Sequence, residues 1–130
     1  VFGEAAIGMW NIKPMAKYGK IYALLFDKNG KEDVVSVVEV LRSFDQEKAY
    51  LYGVFTVDKY GKQGYAKTLL EHVIEFLKEL GISNIELTVE ISNENANNLY
   101  KKLGFKIIEE IENEYGDGKP RYLMRYIYNK

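Results

Sequence analysis

The chain has 130 residues, 47% of them hydrophobic, and a formal net charge of −1 from 18 basic and 19 acidic side chains, which suits one soluble domain with a core of its own. It has no cysteine and one histidine, His72, which excludes disulfides, thiolate nucleophiles and thiolate or multi-histidine metal sites. The near-neutral balance gives no electrostatic reason to expect nucleic acid or an anionic membrane as partner; with no membrane-spanning apolar run and no signal peptide visible, a cytoplasmic location is expected.

Residues 3–12 predict a helix that ends before Pro14. KIYALLFD (20–27) predicts a strand, followed by Asn29-Gly30, a dipeptide suited to a tight hairpin because both residues tolerate positive φ. DVVSVVEVL (33–41) is the return strand. AYLYGVFTV (49–57) follows a polar turn at Asp45 to Lys48 and predicts a third. The period then changes. Ala66, Leu69, Leu70, Val73, Ile74, Leu77 and Leu80 recur at steps of three and four, a helix with one apolar face closed by Gly81. NIELTVE (84–90) is a strand, ANNLYKKL (96–103) a short helix ended by Gly104. FKIIEEIENEY (105–115) and RYLMRYIY (121–128) are a strand pair around Gly116-Asp117-Gly118. The third strand, the long helix and the fourth strand make one βαβ unit, so those two strands are expected to be parallel. The fold class is α+β with a mixed sheet: antiparallel N-terminal strands, one parallel βαβ unit and flanking helices, in a single domain over residues 1–130.

GKQGYAKT (61–68) raises two phosphate-binding readings. It approaches the nucleotide pattern G-x-x-x-x-G-K-[ST], but Ala66 stands where that pattern needs its second glycine. The loop also follows antiparallel strands, and no later strand ends in an aspartate for magnesium. The other reading is a pyrophosphate held by main-chain amides at the start of the long helix, where unpaired N–H groups and the positive dipole end meet. Gly64 and Ala66 keep bulk away from the main chain, and Lys62 and Lys67 add positive charge. A glycine-containing turn with no ligand is the plain alternative.

A second stretch bears on the choice. Asn93, Ala96, Leu99, Tyr100, Gly104 and Phe105 fit N-x-x-A-x-x-L-Y-x-x-x-G-F, and Gly64 and Ala66 fit [QR]-x-x-G-x-[GA], with Gly61 in place of the Gln or Arg. Together, over about residues 20 to 128, the chain resembles the GCN5-related N-acetyltransferase (GNAT) family. The resemblance implies a GNAT-like sheet whose usual first strand and part of its first helical region are absent or cut off ahead of Val1.

It also implies acetyl-CoA as co-substrate, no metal, and direct attack of a primary amine on the thioester. Val54, Phe55 and Thr56 match the strand segment that binds the pantetheine arm through its main chain. Lys62, Gln63, Gly64, Tyr65 and Ala66 would bind the pyrophosphate. Asn93 would contact the cofactor or cap the short helix. Tyr100 would be the general acid toward the departing thiolate; its plain role is core packing, as for Ala96 and Leu99. The stretch ENEYGDGKPRYLM resembles bacterial ribosomal-protein N-terminal acetyltransferases, which carry a glutamate base where this chain has Thr88. Glu90, on the same strand face, is the candidate base. Glu39 and a water held by Tyr52 are others, and a solvated surface carboxylate is the plain reading of each glutamate. His72 reads as a surface residue. Trp10, Met15, Tyr18 and Tyr115 could border the acceptor, which is expected to be a small-molecule or peptide amine. The resemblance leaves a homodimer among the expected assemblies. A non-catalytic acyl-CoA-binding regulatory module is the alternative function.

Overall fold

The structure is a computed structural model that describes residues 19–28, 31–44, 46–61, 64–112 and 116–128. The expected helix at 3–12, the Asn29-Gly30 turn, and Trp10, Met15, Tyr18, Lys62, Gln63 and Tyr115 lie outside the described residues.

Among the described residues six strands form one mixed sheet: β1 Lys20–Lys28, β2 Lys31–Arg42, β3 Lys48–Thr56, β4 Asn84–Glu90, β5 Lys106–Ile111 and β6 Arg121–Ile127, in the spatial order β1-β2-β3-β4-β6-β5. Helix α1, Tyr65–Glu79, connects β3 to β4, and helix α2, Glu94–Leu103, connects β4 to β5. β1, β2 and β3 pair antiparallel, β3 and β4 parallel, and β4, β6 and β5 antiparallel. This is the α+β arrangement with one βαβ unit that the hydrophobic periods imply. β3 and the long helix lie within a residue or two of their expected bounds. α2 begins two residues earlier than expected, because Asn93 caps it, and β5 stops at Ile111.

The core lies between the sheet and α1. Leu69, Leu70, Val73, Ile74 and Leu77 are the buried stripe of α1. They meet Val38 and Val40 of β2, Ala49 and Leu51 of β3, and Ile85, Leu87 and Val89 of β4 in one cluster with Phe105 and Met124. Strand residues alternate between faces, so Glu39, Tyr50, Glu86, Thr88 and Glu90 project from the opposite face. Residues Val35 to Val40 of β2 are all buried, which accounts for a nearly continuous apolar run interrupted by Ser36 and Glu39. Among the described residues no helix is long and apolar enough to cross a membrane.

Candidate active site

β3 and β4 pair at only three positions, Lys48 with Asn84, Ala49 with Ile85 and Tyr50 with Glu86. Beyond them the strands part. A bulge supplies a cause: Glu39 pairs with Gly53 but Val40 with Leu51, so Tyr52 is an extra residue in β3. A bulge bends its strand and increases the local twist, here just where β3 leaves β4. Val54, Phe55 and Thr56 remain paired with β2 on one side, while their other edge faces the gap. The sequence-predicted arm-binding segment therefore lies along the edge of β3 that has parted from β4. Ser36 Oγ donates to Phe55 O at 2.8 Å and lies 3.1 Å from Thr56 Oγ1, which braces this segment from β2.

A cleft of about 660 Å³ opens at the end of the gap, lined by Thr56, Tyr60, Gly61, Gly64, Tyr65, Ala66, Lys67, Asn93, Asn95, Ala96 and Leu99. Of the sequence-predicted residues, Thr56, Gly64, Tyr65, Ala66 and Asn93 meet there. Gly64 is the N-cap of α1 at φ +78°, a left-handed conformation that favours glycine, and no side chain caps the helix. The first-turn amides are thus left with no intrahelical partner. No acidic residue stands in that turn, while Lys67 adds a cation to the positive dipole end. Like signs repel there, and an anion in the cleft would offset the repulsion.

Tyr60, Asn95, Ala96 and Leu99 are cleft residues that sequence reasoning did not assign to the site. Tyr60 and Tyr65 meet Phe26 in an edge-to-face trio with ring centroids 5.1–6.0 Å apart. The Tyr60 hydroxyl donates to the Asp33 carboxylate, which also holds Lys59 Nζ at 2.9 Å. The hydrogen bond to Asp33 raises the Tyr60 phenol above its ordinary pKa. These partners stand 27 residues apart, so no local motif announces them.

Asn93 does what an N-cap does: its Oδ1 accepts from Ala96 N at 3.2 Å. Asn97, unremarked in the sequence, is 5% exposed. Its Nδ2 donates to Glu90 O, Ile91 O and Asn93 O at 2.8–3.3 Å, fixing the turn from β4 into α2. Ala96 and Leu99 pack against the core and also wall the cleft.

Tyr100 is 8% exposed and belongs to the core cluster. Its ring lies edge-on to Phe105 at 5.9 Å, and burial pushes its phenol up to about 12. It is not among the residues that line the 660 Å³ cleft.

Glu90 ends β4 in a charged cluster, 3.4 Å from Lys119 Nζ and 3.6 Å from Arg121 Nη2. Arg121 also forks onto Asp117 at 3.1 and 2.8 Å. That fork, with the Lys119 amide, holds the Asp117 carboxyl down at about 2. Thr88 is hydrogen-bonded to the Tyr50 hydroxyl at 2.8 Å. Glu39 departs from the surface reading of its type: it is 4% exposed, whereas Tyr52 is 53% exposed. Burial raises the Glu39 carboxyl above its ordinary pKa. His72 is exposed beside Phe76, as its place off the apolar stripe implies.

A family model described as the acetyltransferase (GNAT) family matches residues 3–105. An N-alpha-acetyltransferase from Sulfurisphaera tokodaii is 34% identical over 79 residues, 60% of this chain and 47% of that protein. The ribosomal protein bS18-alanine N-acetyltransferase of Escherichia coli K12 is 33% identical over 78 residues, 60% of this chain and 50% of that protein. The chain spans about half the length of the curated relatives it matches. The crystal structure of the ribosomal-protein-S18-alanine N-acetyltransferase from Escherichia coli superposes with a TM-score of 0.75 at 26% identity, over 96% of this chain and 81% of that one. An IAA acetyltransferase from Bacillus cereus shares the fold, with a TM-score of 0.79 at 19% identity over 98% of this chain and 89% of its own.

Proposed function

The chain belongs to the acetyltransferase (GNAT) family, and from that premise we propose that it transfers the acetyl group of acetyl-CoA to a primary amine, with the free α-amine of a peptide or protein N-terminus as acceptor. The observation that carries this reading is the parting of β3 from β4 beside the uncapped start of α1. A helix start suits a diphosphate, and a strand edge that has parted from its neighbour suits an arm bearing amides. The relatives named N-alpha- and alanine N-acetyltransferases support the acceptor class.

Each residue has a role in this reading. The amides of Tyr65, Ala66 and Lys67, with the Lys67 ammonium, hold the pyrophosphate, as would the segment at Lys62 and Gln63. Asn93 holds the turn that walls the cleft. The main chain of Val54, Phe55 and Thr56 aligns the arm, and one of its N–H groups polarises the thioester carbonyl. Tyr100 donates a hydrogen bond to the leaving sulfur. At about 12, its phenol is a weaker acid than a thiol at roughly 8.5 in water, so full proton transfer is uphill until the same dry surroundings raise the thiolate as well. Its service is to stabilise the developing charge. For the proton of the ammonium the sequence nominates Glu90, whose carboxylate would leave Lys119 or Arg121 to take it.

The alternative, a regulatory module that binds acyl-CoA without turnover, draws on Thr88 standing where similar enzymes carry a glutamate. Calorimetry with acetyl-CoA and with magnesium-ATP, followed by mass spectrometry of peptides incubated with acetyl-CoA, tests both. Binding of acetyl-CoA but not ATP, with acetylated N-termini, is the expected result. Binding with no transfer to any amine would establish the module, and binding of ATP alone would overturn both readings.

A further inference from the structure

We propose that Glu39 is the carboxylate that receives the acceptor amine and takes its proton, through the opening that the β3 bulge makes in the sheet. The proposal rests on the transfer reading above and gives the proton-accepting role to Glu39 in place of Glu90.

The argument begins with the two faces of the sheet. α1 and its phosphate-suited start lie on the face carrying Val38, Val40 and Leu51. An arm that enters the gap from that side delivers its acyl group toward the other face. Glu39 alternates with Val38 and Val40 and therefore projects to that other face. It pairs with Gly53 at the bulge. A Cβ on Gly53 would stand 2.5 Å from Glu39 Oε1 and 2.7 Å from the Phe55 ring. The carboxylate thus occupies the space that a side chain at position 53 would fill, directly against the β3 main chain that leads to Val54 and Phe55.

Its surroundings suit a proton acceptor. Glu39 is 4% exposed and has no ion pair or hydrogen bond among the described residues, although burying a lone carboxylate is costly. On this face its sheet neighbours are Ile21 of β1, Val37 and Leu41 of β2, and the bulge residue Tyr52 and Phe55 of β3; of these only Tyr52, 53% exposed, is titratable. Further along this face of β3 and β4 stand the Tyr50 phenol, held by Thr88, Glu86, held by Lys48 and Arg125, and Glu90, held by Lys119 and Arg121. Among these carboxylates Glu39 alone lacks a cation, and an arriving ammonium would supply one. Its burial-raised pKa makes it more basic than a surface glutamate, which favours deprotonation of the amine near neutral pH.

The step balances as follows. The ammonium gives one proton to Glu39. Its nitrogen forms a C–N bond to the thioester carbonyl carbon, and the C–S bond breaks. A second nitrogen-borne proton reaches the thiolate, giving a thiol, and Glu39 returns its proton to solvent.

The test compares wild type with Glu39→Gln, Glu39→Asp and Glu90→Gln in the full chain. Turnover is measured on whichever amine the wild type acetylates in a panel of short peptides with free N-termini, a lysine derivative and spermidine, so failure of the peptide reading shows as a different acceptor. Calorimetry of acetyl-CoA binding and thermal melting are recorded alongside. The expected result is that E39Q lowers kcat/KM about 100-fold and removes the acidic limb that Glu39 sets on its pH profile. Acetyl-CoA affinity would stay within about twofold of wild type, the melting temperature would be unchanged or higher, and E39D would recover part of the rate. Full turnover by E39Q, loss of rate in E90Q instead, an E39Q that melts early or no longer binds acetyl-CoA, or a wild type that binds acetyl-CoA yet acetylates no amine would each overturn the proposal.

Discussion

The Tyr50 hydroxyl and Thr88 Oγ1 are hydrogen-bonded at 2.8 Å, just beyond the last pair that joins β3 to β4. The two side chains bridge the strands where main-chain pairing has ended, so they mark the closed end of the gap. Thr88 therefore has structural work at a position where a glutamate base is found in similar enzymes. A double-mutant cycle with Tyr50→Phe and Thr88→Val should give a coupling energy of about 1 kcal/mol. Each single variant should melt about 4 °C lower than wild type. Denaturant titration of the four proteins measures it.

Lys67 stands in the first turn of α1, where no acidic side chain balances it. Lys67→Glu should weaken acetyl-CoA binding about tenfold through loss of a charge-assisted contact. S-acetylpantetheine, which lacks the pyrophosphate, should bind both proteins alike. Calorimetry with the two ligands checks the difference, and equal weakening of both would place the lysine elsewhere on the ligand.

Tyr100→Phe should lower kcat about 100-fold while changing stability at neutral pH by less than about 1 kcal/mol, because the hydroxyl has no hydrogen-bond partner among the described residues. The effect on alkaline stability has a definite sign. The folded phenol titrates at about 12, whereas an unfolded tyrosine titrates near 10. Between these values the unfolded chain binds fewer protons, so stability is complete below about pH 10 and falls as pH rises toward 12. Burial raises Tyr22 and Tyr128 in the same direction. The Tyr100→Phe variant should lose less stability than wild type over this interval, as urea titrations at stepped pH will read.

Asp117 has the opposite sign. The Arg121 fork and the Lys119 amide lower its carboxyl from an ordinary 3.8 to about 2. Its contribution to stability is present above about pH 4 and lost as pH falls toward 2. Carbon-detected NMR should find the Asp117 midpoint near 2 in wild type and close to the ordinary value in Arg121→Gln. That variant should also free Glu90 from one of its two cations.

Gly53 shares its space with Glu39 Oε1 and the Phe55 ring. Gly53→Ala should cost about 1–3 kcal/mol through overpacking. Shortening the neighbour in the double variant Gly53→Ala, Glu39→Ala should return part of that loss. Thermal melting of the single and double variants checks the coupling, and strict additivity would separate the two residues.

Local chemistry was readable in the chain itself. A helical period runs from Ala66 to Leu77, glycine marks the left-handed entry at position 64, and asparagine at 93 caps α2 through Ala96. Such features depend on residues within a turn or two of one another, so pattern and spacing suffice, and the family motifs consist of them. Glu39 shows where this stops. Alternation with Val38 and Val40 puts this carboxylate on the face away from α1, but its burial and its place against Gly53 were not readable, because one extra residue at Tyr52 resets which side chains of β3 lie opposite which of β2. The brace of Tyr60 on Asp33, the bond between Tyr50 and Thr88, and the depth of Tyr100 join residues distant in sequence or depend on how helix and sheet pack. The sequence by itself determined the elements, their order and the phosphate-suited start of α1, since these follow from local backbone preference and hydrophobic period. Only the tertiary structure decided where the sheet opens and which carboxylate is buried beside that opening, since strand register and burial are properties of the assembled fold.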